Sequence, residues 1–307
     1  MRTLALNSKN IVEGTNNSQL QYNFPSGSIQ INEGDQLALS SISMYNSVFN
    51  VTAALKNNTY SYIWIDGSVN TVTMPDGFYD VDSLNDFLHQ TMLVNKHYLI
   101  EVATGNFVWF LTLQVNVSVY KIEITCYPMP IATYVVPTTY KYPTGATWVV
   151  QNNTITPYVF IPDTNIQSTL GFPTGYYFSG TGGASLTEPV ITGVSPDKVQ
   201  NSPKTAITVL QSPNVPQITS LTSYIITCSL INNNYSIPNT LLSAFPPSSA
   251  FAEQFLYAPN QMSFIDCQSG SYGSFNITLY DQNLRQIAIQ DPQIVIILVI
   301  RSKDEKS

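Results

Sequence analysis

The sequence predicts an all-β sandwich of about eight antiparallel strands, interrupted by a long insertion that is mostly β and holds one helix. Three observations lead there. Apolar and polar residues alternate with period two near both ends of the 307-residue chain. A helical period is confined to one stretch in the middle. The last apolar run, Ile294 to Ile300, is seven aliphatic residues long and mostly β-branched.

That closing run is too short to cross a membrane, which takes about 20 apolar residues. As a strand it reaches roughly 23 Å at about 3.3 Å per residue. Asp291-Pro292 marks a turn before it. A strand apolar on both faces is expected to be central and covered on both, with Ile294, Ile296, Leu298 and Ile300 as a core row and 301–307 as a solvated tail.

The other elements follow in order. In "QLQYNF", Leu20, Tyr22 and Phe24 face one way and Gln19, Gln21 and Asn23 the other. "PSG" at 25–27 turns the chain into Ile29 and Ile31. In "QLALSSISMY", Leu37 and Leu39 share a face and Ile42 and Met44 resume it one residue out of phase, so a β-bulge is expected at Ser40-Ser41. "YSYIWID" is a strand with Tyr60, Tyr62 and Trp64 on one side. Leu84, Phe87, Leu88, Thr91 and Met92 then follow helical spacing, with Asp80 or Asp82 as N-cap. Strands are expected at 97–102, 108–115 and 117–125. A short helical turn follows, opened by Asp163 or Thr164 and closed by Gly171 and Pro173. The stretch 173–220 reads mostly as loop, with a strand at 206–210. Strands resume at 223–230, 262–267, 273–281 (Phe275, Ile277 and Leu279 inward) and 293–300. The predicted organisation is a sandwich formed by 1–50 and 220–307, with 51–219 inserted.

Charged residues are only 10% of the chain, where about 25% is usual. Asn, Ser, Thr, Gln and Tyr replace them. A neutral polar surface suits contact between copies, because few ions need desolvating. Net charge is −7 and no stretch concentrates Lys and Arg, so no nucleic-acid partner is expected. No signal peptide is read at the N-terminus and no membrane insertion is expected. Cys126, Cys228 and Cys267 are too few and scattered for a disulfide frame or zinc site and read as buried thiols.

No catalytic residues and no cofactor are expected. The two histidines, His89 and His97, lack a G-x-S-x-G partner, and His89 falls off the apolar helix face toward solvent. Asp163-Thr164-Asn165 lacks the Gly of an aspartic-protease turn and has no second copy. Asp80, Asp82 and Asp86 have the spacing of a metal loop without its Gly or closing Glu, and read as complements to the helix N-terminus. "GFPTGYYFSGTGG" lacks the Lys-Ser/Thr of a phosphate loop; its Tyr176, Tyr177 and Phe178 are either a contact loop or core.

Taken together, "LNSKNIVEGTNNSQLQYNFPSG", "LALSSISMYNSVFN", "MPDGFYDVDSLNDFL" and "STLGF" resemble the penton, or minor capsid, proteins of virophages and polinton-like viruses. The resemblance implies a single jelly roll with an inserted outer domain. It also implies a homopentamer at each vertex of the virion, beside a major capsid protein and made in the host cytoplasm, with a host-surface receptor as a further partner. An arm at 7–18, carrying Ile11 and Val12, is expected to order against a neighbouring capsid protein. The alternative is a carbohydrate-binding or adhesive β-protein, lectin-like or fibre-like, in which Trp64, Trp109 and Trp148 would stack on sugars.

Overall fold

Strand Val295–Arg301 is hydrogen-bonded on both sides, to Arg2–Asn7 near the N-terminus and to Gln36–Tyr45. The computed structural model describes residues 1–127, 129–130, 132–150, 157–177, 208–219 and 221–302. They form two compact units: 1–49 with 221–307, and 50–220.

The first unit is built from eight strands: β1 (Arg2–Asn7), β2 (Gln19–Asn23), β3 (Gln36–Tyr45), β4 (Tyr224–Cys228), β5 (Leu241–Phe245), β6 (Gln254–Tyr257), β7 (Ser274–Tyr280) and β8 (Val295–Arg301). Their antiparallel pairs are nested. β1 pairs β8, β2 pairs β7, β3 pairs β6 and β4 pairs β5. Two further pairings, β8 with β3 and β4 with β7, close two four-stranded sheets, ordered β1-β8-β3-β6 and β5-β4-β7-β2. A long hairpin rolled into two sheets in this order is a jelly roll. The second unit enters between β3 and β4.

The register explains which side chains are inside. Leu6, Ile296, Ile42 and Tyr257 lie in one row across the first sheet, and Leu4, Leu298 and Leu39 in the next. These rows face Leu20, Ile226, Phe275, Ile277 and Leu279 of the second sheet in one core. Each fully buried Leu or Ile there contributes roughly 1.5–3 kcal/mol. The expected bulge is present: Ile297 pairs Ser41 and Leu298 pairs Leu39, so Ser40 is the extra residue. It returns Leu37 and Leu39 to the same face as Ile42 and Met44.

Three strands escape the sequence reading. β1, β5 and β6 each present only two buried side chains, too few to show a period: Leu4 and Leu6, Leu242 and Phe245, and Phe255 with the half-buried Tyr257. Two expected sandwich strands are instead accessories. Ile29–Ile31 pairs Gly270–Tyr272 as a two-stranded ribbon, and Ile265–Asp266 extends the edge of β3. The closing strand also differs from expectation. Its inner row is buried, whereas Val295 on the other face remains 44% exposed and Ile297 half-buried. A sandwich covers each sheet on one side only.

The second unit has its own core. One sheet runs in the order Gly175–Tyr177, Tyr158–Ile161, Thr59–Ile63, Val69–Thr73. A second has Lys121–Cys126 between Leu111–Asn116 and Thr208–Gln211, and a small third joins Tyr140–Lys141, Leu99–Glu101 and Phe107–Val108. The main helix, α1 (Val81–Val94), is capped by Asp80 and buries Val81, Leu84, Leu88 and Met92. A short helix at Ala132–Val135 was not expected, and the expected helical turn is Ile166–Leu170. The latter begins after Asn165 rather than Asp163 or Thr164. It ends at Gly171, whose φ of +76° and approach to Asn214, 2.5 Å from a would-be Cβ, admit only glycine.

The expected N-terminal arm is part of this jelly roll. Asn7 caps a 3-10 turn at Ser8–Asn10, Ile11 bridges Leu20, and the Val12 amide donates to the Gln19 carbonyl at 2.9 Å. Ile11 packs on the unit's own core. Removing residues 1–15 therefore deletes β1, and the truncated protein is expected to be insoluble or to melt far below the full chain in a thermal-shift assay. Ile296→Asp is expected to abolish soluble protein, since an unpartnered charge in the core costs several kcal/mol. Ile297→Asp, on the half-covered face, should remain soluble with a smaller loss of melting temperature. Equal behaviour of the two variants would contradict the assigned faces.

Candidate functional site

The uncovered face of the first sheet is the most unusual surface of the jelly roll. Its rows read Asn7-Val295-Ser43-Leu256, Ala5-Ile297-Ser41 and Thr3-Val299-Ala38. These three rows hold no ionisable group, and the face ends in a fourth, charged row, Arg301-Gln36-Asp266. Val295 and Leu256 are exposed, at 44% and 68%. The second sheet's outer side differs, carrying Gln19, Gln21, Asn23, Asn276 and Thr278. Small and aliphatic side chains on a pleated face allow close approach of another surface with little desolvation of ions. This face accounts for the apolar run Ile294 to Ile300: one half of it fills the core, and in the other half Val295 is exposed, Ile297 half-buried and Val299 buried.

At the opposite margin of the sandwich, between β5 and β6, a cleft of about 340 Å³ is lined by Leu39, Leu241, Leu242, Tyr257, Pro259 and Ile265 with Asn233, Ser243, Gln261 and Ser263. Its lining is uncharged too.

The remaining candidates resolve as structure. The Asp80 carboxylate accepts from the Ser83 amide at 2.7 Å, and hydrogen bonding to the Ser83 side chain and then to its amide holds its pKa below the usual carboxylate value. Asp82 lies in the first turn of α1. Among the described residues no three His, Cys, Asp or Glu side chains gather as a metal site. Tyr177 is a core residue rather than a contact: its ring packs edge-on against Phe172, its hydroxyl donates to the Pro173 carbonyl, and burial pushes its pKa up to about 12. Tyr176 pairs Phe160 through the backbone, and Phe178 lies outside the described residues, as do 303–307 of the tail. Trp64 and Trp148 are buried and pack edge to face, so neither offers a platform for a sugar. All three cysteines are buried free thiols.

His89 is not solvated. It stacks on Trp109, with ring centroids 4.4 Å apart, and its Nε2 lies 3.0 Å from the Leu111 carbonyl. Nothing in the helix periodicity showed this, because the covering ring comes from the link between two strands, twenty residues later. Glu123 is a further group the sequence did not reveal. It is buried, and its carboxylate accepts from the amides of Asn116, Gln114 and Gln211 at 2.7–2.9 Å. Those bonds, Asn116's foremost, keep its pKa low against the opposing effect of burial.

No family model matches the chain, and no curated protein matches it. Solved structures do. The chain is similar to virophage capsid proteins. The penton protein of mavirus aligns over 98% of this chain and 100% of its own, at 12% identity and a TM-score of 0.44. The cryo-EM structure of the Sputnik virophage contains a chain aligned over 100% of this one and 99% of its own, at 13% identity and a TM-score of 0.40. At such identity no residue's role carries over.

For the acidic trio, Asp80→Ala is expected to cost about 1 kcal/mol through loss of the cap, and Asp80→Asn much less. Millimolar calcium should leave the melting temperature of the wild type unchanged. A calcium-dependent rise would restore the metal reading.

Proposed function

We propose that this chain is a structural protein of an icosahedral virion, closing the vertices as a fivefold ring of identical subunits. The observation that carries the reading is the partly aliphatic outer face of the β1-β8-β3-β6 sheet, whose charge is confined to the row Arg301-Gln36-Asp266 at one end, set on the jelly roll that the sequence resemblance implies. A ring brings two different patches of each subunit together. Such a contact stays cheap when neither patch must shed hydrated ions. On this reading the major capsid protein is the neighbour around the ring, the virion is the site of action, synthesis is in the host cytoplasm, and the chain performs no catalysis. The unit 50–220 is then an insertion free to vary, with a host-surface receptor as its candidate partner.

The test uses two exposed positions whose replacement leaves the core alone. Leu256→Arg with Val295→Arg is expected to keep a wild-type melting temperature within a few degrees. It should lose the pentamer in native mass spectrometry and impair closed particles on co-expression with the major capsid protein. Deleting 50–220 and joining Phe49 to Leu221 by a flexible linker should leave a folded domain that still forms the ring. Particles that close equally well without any of this protein would overturn the vertex role. A ring unaffected by the two arginines would overturn the assigned face.

A further inference from the structure

We propose that the unit 50–220 carries a built-in acid-sensitive latch, formed by His89 and His97 on either end of one structural joint, that opens this unit while the jelly roll stays folded. The chain has two histidines, and both lie in this unit. Each is stacked face to face on a tryptophan. His97 lies on Trp64, with centroids 4.6 Å apart and planes 9° apart, and His89 lies on Trp109 at 4.4 Å and 7°. Each also ties the α1 region to a different strand. His89, on the helix, reaches the Leu111 carbonyl; His97, three residues beyond the helix, reaches the Tyr62 hydroxyl at 2.9 Å.

The hydrogen bonds are complete with both rings neutral. Asn95 donates to the Tyr62 oxygen at 3.0 Å, and with a neutral ring the Tyr62 hydroxyl donates to His97 Nδ1. A proton on Nδ1 would displace the phenol's own, with His97 6% exposed and the site closed by the Trp64 ring. At His89, Nε2 donates to the Leu111 carbonyl, so Nδ1 is the free lone pair. It faces the side-chain NH₂ of Asn85, whose orientation is fixed because its Oδ1 accepts from the Leu113 amide at 2.9 Å. Protonation would therefore set donor against donor at His89.

The charged and titratable neighbours do not rescue the cations. Asp66 faces His97 and Asp86 faces His89, and each raises its histidine's pKa by less than burial lowers it. The Lys96 ammonium is turned to the Gly145 carbonyl. Tyr62 stays a phenol, its pKa pushed up to about 12 by burial. Tyr98 packs against the Trp109 ring. Burial brings His97 down from 6.5 to about 4. Below the unfolded value the open chain takes up protons that the closed unit refuses, so stability is lost as pH falls from about 6.5 to about 4. Each pH unit of that gap is about tenfold in the open-to-closed ratio. Glu123 acts in a separate and lower window, losing its contribution only below the ordinary carboxylate value of 4.5. The jelly roll has no imidazole, and its buried carboxylates Asp35 and Asp281 are each paired with an arginine.

The full-length protein is the subject of the test. Trp64, Trp109 and Trp148 all lie in the unit 50–220, so tryptophan fluorescence reports that unit alone. Amide exchange, corrected for the intrinsic pH effect, reads both units. Between pH 7 and 5 exchange in 81–126 should rise at least about tenfold with a fluorescence change, while β1, β3 and β8 keep their protection. In His97→Asn with His89→Gln, whose amides can replace the two ring nitrogens without titrating, that rise should vanish. A rise that persists in the double variant, or the absence of any rise in the wild type, overturns the latch. Should the variant not fold, imidazole titration in the wild type by NMR decides. Both rings titrating below their ordinary value in step with the opening supports the latch, and ordinary titration overturns it.

Discussion

The pairing of β1 with β8 is the constraint on which the jelly roll depends. It joins residues 2–7 to 295–300 across nearly the whole chain. Every inner pair is nested within it, so the register of the outermost pair fixes which side chains meet in the core. The β8–β3 ladder then closes the sheet and places Ile296, Leu298 and Ile300 against Leu37, Leu39 and Ile42. Ser40 makes this possible: without one extra residue, half of β3 would turn its leucines outward. A topology made almost entirely of long-range pairs forms slowly, because loop closure must precede the contacts that reward it. An insertion between β3 and β4 lengthens that closure, yet the cost grows only with the logarithm of length.

The shortage of charge has a location as well as a percentage. It is expressed on the outer face of the first sheet, where three rows of Asn, Ala, Ser, Thr, Val, Ile and Leu run without an ionisable group before the charged row Arg301-Gln36-Asp266. Exposed sheet faces in a monomer usually alternate apolar-in with charged-out. Here the outward positions of β8 are Val295, Ile297, Val299 and, at its end, Arg301. Val299 is buried, but Val295 stays exposed, and that end of the face is intelligible as a surface meant to be covered by another molecule.

Legibility in the sequence followed the number of buried side chains per element. α1 has four buried positions at helical spacing and an aspartate at its cap, and its limits were readable to within a residue or two. β7 alternates over its whole length, and the bulge in β3 showed as a phase slip. β5 and β6 were invisible because two inward residues make no period. The arm failed for a different reason. Ile11 and Val12 look free in a run of Asn and Ser, but their partner, Gln19-Leu20, lies just past a turn that Asn16 and Asn17 make with positive φ. The seven-residue apolar run was over-read in one respect, because continuous hydrophobicity was taken to mean cover from this chain on both faces.

The histidines show most sharply what composition hides. At a helix surface position or beside a turn, an imidazole reads as solvated, and only the fold reveals a tryptophan lying flat on each. A neutral imidazole against an indole face is stable packing; a protonated one gains a cation–π attraction, which by itself would favour the charged form. Burial reverses that outcome, and the hydrogen bonds are complete with neutral rings. Tyr62 offers His97 a proton rather than a lone pair, and Asn85 offers His89 the same, each held by a third group, Asn95 and the Leu113 amide. Stacking alone would have made the unit indifferent to acid, or better suited to it. It is burial that ties the closed form to neutral rings, and because all of these groups belong to one unit, the response is confined there.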